Sequence, residues 1–176
     1  MRYAAINGND LINGEGVCVS FWTQGCPHRC PGCHNPELWP FDGGKWEQEV
    51  SKVFQEINEK MTANGIERNF SILGGEPLCD ENISTTIAVA AYVRAHFPKA
   101  KIFLWTGYTI DTETTNIDLR ILFDLVDVII DGPYEEDKRD VTLKLRGSSN
   151  QRILYKGIDF WKNFWYNIYK EIKGDK

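Results

Sequence analysis

Three cysteines stand close together in the sequence CPHRCPGC, which covers residues 26–33. Their spacing is C-x3-C-x2-C, so Cys26, Cys30 and Cys33 can present three thiolates from one short loop. A [4Fe–4S] cluster usually takes four cysteine ligands, and three local cysteines therefore predict a cluster with one iron left open. Open coordination positions are where metal centres do chemistry, as catalytic zinc sites illustrate.

A zinc site is the alternative interpretation of the same loop. Structural zinc takes four protein ligands, and His28 or His34 can complete a set with the three cysteines. Such a site would belong to a non-catalytic, zinc-binding interaction module, whereas the cluster needs no residue beyond the three cysteines. The two histidines are otherwise loop residues beside a metal. Cys18 and Cys79 stand apart from the loop, and we expect both to be small buried side chains.

A second motif, Gly74-Gly75-Glu76, follows a short apolar strand. Glycines at a strand end let a ligand approach the backbone closely. The strand-end carbonyls and the Glu76 carboxylate can both accept hydrogen bonds from an ammonium group. The alternative is a tight strand-to-helix turn with a solvated glutamate.

The elements that must position these motifs alternate along the chain. Apolar runs and turn residues predict strands at residues 17–23, 70–73, 101–106, 126–130 and 151–155. Helical periodicity predicts helices at residues 45–61, 83–97, 119–125 and 158–172. This alternation predicts an α/β fold with a mostly parallel sheet, whose functional site lies at the carboxyl ends of the strands.

Four loops occupy that position: the cysteine loop and residues 74–76, 105–108 and 131–133. We therefore expect these loops to converge on one face of the sheet. The chain is too short for a full eight-stranded barrel, so the fold class expected is an open partial (β/α) barrel.

Composition limits the class of protein. A length of 176 residues points to a single domain. The net charge of −5 and the pI near 5.3 argue against a nucleic-acid partner. No apolar run reaches the roughly 20 residues of a membrane span, and the first residues have no signal-peptide character, so we expect a cytoplasmic protein without a membrane partner. Five cysteines with three clustered indicate metal or redox use rather than disulfides.

The order of these motifs resembles the radical S-adenosylmethionine superfamily, and residues 25–35 resemble its glycyl-radical-enzyme activases. Residues 105–108, 131–134 and 145–151 resemble the branch that activates anaerobic ribonucleoside-triphosphate reductase, and the similarity runs from about residue 3 to about residue 155. An activase of another glycyl radical enzyme, such as formate C-acetyltransferase, is the nearest alternative.

Two positions depart from the pattern of the resembling proteins. Cys18 stands where an arginine is expected, and Gly32 stands where an aromatic residue often precedes the third cysteine. These departures concern contacts around the cofactor, because the three cysteines themselves are all present.

The resemblance implies that the three cysteines bind three irons of the cluster and that S-adenosylmethionine chelates the fourth. It implies no catalytic residue beyond the ligands of the cluster and the cofactor. The implied cofactor contacts are Gly74, Gly75 and Glu76 for the methionine ammonium, and Gly32, Cys33 and His34 for the adenine. The electron would come from a donor such as flavodoxin or a thiol-based reductant. The hydrogen atom would come from a glycine of the large subunit of the reductase.

Two further features have two interpretations each. Asp131, Arg146, Ser148, Asn150 and Gln151 either line the cofactor and docking surfaces or form a hydrogen-bonded loop scaffold. The predicted C-terminal helix, at about residues 157–173 of the single radical S-adenosylmethionine domain 1–176, either packs on the core or docks the reductase. Its apolar seam consists of Ile158, Trp161, Trp165, Ile168 and Ile172.

Overall fold

The computed structural model describes residues 1–160, so residues 161–176 of the predicted C-terminal helix lie outside the described part. The strands are Arg2–Tyr3 (β1), Ala5–Asp10 (β2), Cys18–Thr23 (β3), Lys45–Trp46 (β4), Asn69–Gly74 (β5), Ile102–Trp105 (β6), Val128–Asp131 (β7) and Arg152–Tyr155 (β8). The α-helices are Val50–Thr62 (α1), Ile83–His96 (α2) and Ile117–Leu125 (α3).

The main sheet has six strands in the order β2-β3-β5-β6-β7-β8. The three central pairings, β3 with β5, β5 with β6 and β6 with β7, are parallel. The edge strands β2 and β8 are antiparallel to their neighbours. Strands β1 and β4 form a separate antiparallel pair. The prediction of an α/β fold with a mostly parallel sheet is confirmed, with antiparallel strands at both edges.

The two faces of the sheet have different partners, because side chains alternate along each strand. Ile102 and Leu104 of β6 belong to the main core, which also includes buried residues of α1, α2 and α3. Phe103 of the same strand belongs to a smaller cluster with Val128 and Ile130. The helices therefore cover one face, and the other face is left to the loops that follow the strands.

The N-terminal region differs from the prediction. The helix predicted to begin at residue 45 begins at Val50, and Lys45–Trp46 instead pairs with Arg2–Tyr3. Trp46 is 61% exposed, and the Arg2 guanidinium lies 5.3 Å from its ring centroid. Trp46 fits the helical stripe in sequence, but strand pairing with a distant segment prevails over that periodicity.

The predicted C-terminal helix does not begin at Ile158. Residues 157–159 form a turn, and a bridge joins Lys156 to Phe160. Phe160 is buried and its ring lies 5.1 Å from that of Phe123 of α3. The helices found within residues 1–160 are all too short or too polar to cross a membrane.

Candidate metal centre

A cavity of about 680 Å³ lies at the carboxyl ends of the central strands. It takes lining residues from each of the four loops predicted to converge, including Cys30, Gly75, Thr106 and Gly132. Parallel strands bring their carboxyl ends to the same edge of a sheet, so loops that are distant in sequence meet there. The predicted convergence of the four loops is confirmed.

The cysteine loop brings all three of its thiols to this cavity. Cys26, Cys30 and Cys33 each line it and are each partly exposed. The start of the loop is anchored where the Cys26 N–H donates to the Trp39 carbonyl at 3.1 Å. Within the loop the Cys33 N–H donates to the Cys30 carbonyl at 3.1 Å, and Arg29 has a φ of 49°. The sequence therefore folds here as an irregular loop that turns its thiols towards one space.

Burial controls the protonation of two of these thiols. Burial raises the pKa of Cys26, and hydrogen bonds from the backbone N–H groups of His28 and Arg29 offset part of that effect. Burial also raises the pKa of Cys30, and a hydrogen bond from the backbone N–H of Tyr134 to the Cys30 sulfur offsets part of that effect. The thiolate is the form that binds metal, so metal binding at these sulfurs releases protons.

The donor set can be compared with the two groups that the sequence predicts. Within residues 1–160, no three His, Cys, Asp or Glu side chains lie close enough together to hold a single metal ion. Each cysteine of a [4Fe–4S] cluster binds a different iron, so three sulfurs spread around a cavity suit a cluster. Trp39 and Arg146 also line this cavity, and their buried Nε1 and Nε atoms have no hydrogen-bond partner in the described chain. The cavity thus fits a sulfur-bound cluster together with a polar ligand.

Backbone hydrogen bonds connect the residues at the end of β5 to the residues just before the cysteine loop. The Gly75 N–H donates to the Thr23 carbonyl at 2.9 Å, and the Glu76 N–H donates to the Gly25 carbonyl at 2.8 Å. A side chain at Gly75 would collide with the backbone of Gly25. Glycine therefore allows the two predicted motifs to lie in backbone contact at one edge of the cavity.

Glu76 is not the solvated glutamate of a simple turn, because it is only 1% exposed. Its Oε1 accepts hydrogen bonds from the Leu78 N–H at 2.9 Å and from the Thr106 hydroxyl at 2.7 Å. Its Oε2 accepts from the Gly107 N–H at 2.7 Å and lies 3.0 Å from His28 Nε2. Hydrogen bonds from four donors stabilise the negative charge of this buried carboxylate.

Gly32 adopts a backbone conformation that favours glycine and lies against the loop after β7. A Cβ at this position would collide with the carboxylate of Glu136, and Gly32 has a φ of 71°. The Tyr134 hydroxyl donates a hydrogen bond to that carboxylate. His34, two residues further on, lines the cavity. The loop after β7 therefore packs directly against Gly32.

The five residues with two predicted interpretations mostly form a loop scaffold. The buried Asp131 carboxylate accepts from the Ile110 N–H at 2.7 Å and from Arg152 Nε at 2.9 Å. Other bonds of this scaffold include Arg146 to the Gln151 carbonyl, Glu135 N–H to the Ser148 hydroxyl, and Asn150 to the Pro133 carbonyl. Arg146 and Gln151 also line the cavity, and their contact with the cofactor or with a docking surface stays a prediction.

The two isolated cysteines behave as predicted. Cys18 and Cys79 are both buried and free, and burial raises the pKa of Cys79 to about 12. Sequence reasoning does not reveal that Thr106 and Gly107 donate to Glu76, because these residues are 30 and 31 positions away from it in the chain. Trp39 was also missed, since it lies in the segment after the cysteine loop that has no regular pattern.

The chain is similar to a known protein family and to several known proteins. Residues 12–154 match a family described as a 4Fe-4S single cluster domain. The chain is 33% identical to the anaerobic ribonucleoside-triphosphate reductase-activating protein of Escherichia coli (strain K12), covering 87% of this chain and 97% of that protein. The protein of the same name from Salmonella typhimurium is also 33% identical, with the same coverage. That from Enterobacteria phage T4 is 34% identical over 93% of this chain and 99% of its own length.

Proposed function

The chain belongs to the family of anaerobic ribonucleoside-triphosphate reductase-activating proteins, and we propose on this premise that it generates a glycyl radical on such a reductase. It is a radical S-adenosylmethionine enzyme with a [4Fe–4S] cluster. When bound, the cluster and S-adenosylmethionine supply the one-electron chemistry that removes a hydrogen atom from a glycine. The chain itself binds, orients and shields these groups.

The observation that carries this proposal is the meeting of three thiols and the Gly74–Gly75 backbone at one cavity. Cys26, Cys30 and Cys33 would hold three irons as thiolates, leaving the fourth for S-adenosylmethionine. Soft thiolate ligands select iron–sulfur clusters over the hard cations that prefer oxygen.

The proposed cofactor contacts lie on both sides of the cysteine loop. The strand-end backbone at Gly74 and Gly75 is proposed to receive the methionine ammonium, and the segment Gly32-Cys33-His34 to lie along the adenine. Each of these proposed contact residues except Gly32 lines the cavity. Glu76 was predicted to share the ammonium, but its carboxylate already accepts hydrogen bonds from donors of this chain. We therefore assign the ammonium to the backbone.

A protein partner has to reach the cavity from its open side. Ile12 and Val141 line the cavity and are 83% and 81% exposed, so the open side carries apolar surface. The large subunit of the reductase would bring its glycine there and exclude water from the reacting groups. An electron donor such as flavodoxin or a thiol-based reductant completes the proposed reaction.

We further propose that residues 1–176 form one domain of the open partial-barrel type. Support comes from the sequential strand order, the parallel central strands and the helices packed on one face. A cytoplasmic location is proposed because the described cysteines are all free, and thiols stay reduced in that compartment.

The test is anaerobic reconstitution of the full chain with iron and sulfide, followed by reductant, S-adenosylmethionine and the reductase large subunit. We expect a brown protein, methionine release, and an EPR signal of a glycyl radical on the reductase. Cys30→Ser should abolish cluster binding and radical formation, whereas the matched change Cys18→Ser, outside the loop, should leave both intact. A colourless protein that retains zinc and stays inert after reconstitution would refute the proposal.

A formate C-acetyltransferase sample serves as the second partner in the same assay. A radical formed on that enzyme and absent from the reductase would retain the chemistry but reassign the partner.

A further inference from the structure

The cysteine loop has few attachments of its own to the rest of the fold. Apart from the Cys26 N–H that donates to the Trp39 carbonyl at its start, the one backbone–backbone hydrogen bond of residues 26–33 in the described chain is internal, from Cys33 to Cys30. Pro27 and Pro31 have no N–H to donate. The Tyr134 N–H reaches the Cys30 sulfur from the loop after β7, so a further connection from the middle of the cysteine loop to the sheet has to come from a side chain.

His28 provides such a tie, because its Nε2 lies 3.0 Å from Glu76 Oε2. An ionised carboxylate only accepts hydrogen bonds, so His28 donates from Nε2. This contact joins residues 48 positions apart, and no other side chain of residues 27–32 donates a hydrogen bond within residues 1–160. His28 thus connects the middle of the cysteine loop to the end of the sheet.

The imidazole is held from several sides. A Cβ on Gly107 would lie 2.6 Å from His28 Cδ2, so the ring rests directly against the Gly107 backbone. The edge of the Tyr108 ring approaches it, with the ring centroids 4.5 Å apart. The His28 side chain is 21% exposed. The ring therefore occupies a slot that only glycine at position 107 leaves open.

Glu76 has no acceptor position left for another donor. A carboxylate offers about four lone-pair positions, and Leu78, Thr106, Gly107 and His28 fill four. The first three donors belong to the segments that follow β5 and β6. They fix the carboxylate in place, and the fourth position is directed at the cysteine loop.

We propose that His28 is a positioning residue, which acts through Glu76 to fix the cysteine loop against the ends of β5 and β6. The backbone N–H of His28 also donates to the Cys26 sulfur, so the residue contacts a cluster ligand on one side and the sheet on the other. His28 thereby sets the position of the sulfurs relative to the backbone at Gly74 and Gly75. The inference rests on the proposed function, because it assigns His28 to the same cluster.

The test compares His28→Phe, which keeps a ring but removes the donor, with His28→Gln, whose amide can donate to Glu76. His96→Phe is the matched control, because His96 lies on the exposed surface of α2 and bonds only to the Tyr92 carbonyl. Each full-length protein is reconstituted anaerobically. Iron content, the EPR spectrum of the reduced cluster with and without S-adenosylmethionine, and the cluster reduction potential are measured.

His28→Phe should still bind iron but show an altered EPR spectrum and a shifted potential. Methionine release should fall about 10- to 100-fold, the range found when groups that orient metal ligands are removed. His28→Gln should restore spectrum and rate towards those of the wild type, and His96→Phe should match the wild type. If His28→Phe does not fold, His28→Asn replaces it. The asparagine amide is too short to reach Glu76, whereas the glutamine amide reaches it.

Two results would overturn the inference. One is an unchanged spectrum and potential in His28→Phe, and the other is a glutamine variant that behaves no better than phenylalanine or asparagine. Failure of the proposed function looks different: the wild-type protein would then form no glycyl radical on the reductase, whatever residue stands at position 28.

Discussion

Gly107→Ala should dislodge the His28 ring, and the size of the effect follows from the distances around it. The new Cβ would lie 2.6 Å from His28 Cδ2 and 2.8 Å from Nε2. Non-bonded carbon atoms prefer a separation of about 3.5–4.0 Å, so the ring must move by about 1 Å. The 3.0 Å contact with Glu76 then exceeds the range of a hydrogen bond.

A hydrogen bond to a charged group contributes about 1.5–3 kcal/mol to stability, so Gly107→Ala should lower the free energy of unfolding by about that amount. His28→Ala removes the same contact. The double variant should therefore be about as stable as His28→Ala alone, which gives a coupling energy of about 1.5–3 kcal/mol.

Urea unfolding of the metal-free chain under reducing conditions measures all three variants. Gly8→Ala is the matched control, because a Cβ there meets Lys60 Cγ at an ordinary 3.4 Å. It should change stability by no more than about 0.5 kcal/mol. Strictly additive effects of the changes at positions 107 and 28 would refute the reasoning, because they would mean that the imidazole does not occupy the slot.

Three further predictions concern other parts of the chain. Burial raises the pKa of Cys79 to about 12, so iodoacetamide at pH 8 should leave it unmodified in the native metal-free protein; rapid labelling detected by peptide mass spectrometry would contradict this. Burial would raise the pKa of Asp10, but hydrogen bonds from Asn13 outweigh it and lower the pKa. A carboxyl group whose pKa is lower in the folded than in the unfolded protein stabilises the fold at pH values above its unfolded-state pKa, and this contribution is lost as the pH falls. Asp10→Ala should therefore lower the free energy of unfolding by about 1 kcal/mol at pH 7 and by less at pH 3, as measured by thermal unfolding. Equal losses at both pH values would exclude this role. Gly75→Ala should lower the free energy of unfolding by about 1–3 kcal/mol and reduce iron binding, because the new methyl group meets the rigid backbone of Gly25. An unchanged stability in urea unfolding would argue against this close approach.

The features that sequence predicted well are local ones. The three cysteines stand within one short segment, so their joint presentation to a cavity needs no knowledge of the fold. The sequence predicts helix α2 over residues 83–97 with its end set by Pro98, and the structure ends it one residue earlier, at His96. The convergence of the four loops also followed from sequence, since parallel strands place their carboxyl ends together whatever their length.

The features that sequence missed depend on distant partners. Ala5–Asp10 contains glycine, asparagine and aspartate, which are poor strand formers, yet it forms β2 because β3 offers a pairing edge. The role of Glu76 was also beyond local reasoning. A glutamate after two glycines gives no sign that Thr106 and His28 will bond to its carboxylate.

The order of strands in the main sheet has a consequence for how the chain assembles during synthesis. Each strand from β2 to β8 lies beside the previous strand of that sheet, so a chain leaving the ribosome can add one strand at a time to a single growing edge. Residues 26–76, which contain the three thiols, the glycine pair and Glu76, are made before Thr106 and Gly107. A nascent chain that has reached residue 80 thus carries all three cysteines of the loop, while two donors that hold the Glu76 carboxylate are still missing. The Glu76 carboxylate therefore gains its full set of donors only after Thr106 and Gly107, which follow β6, have been made.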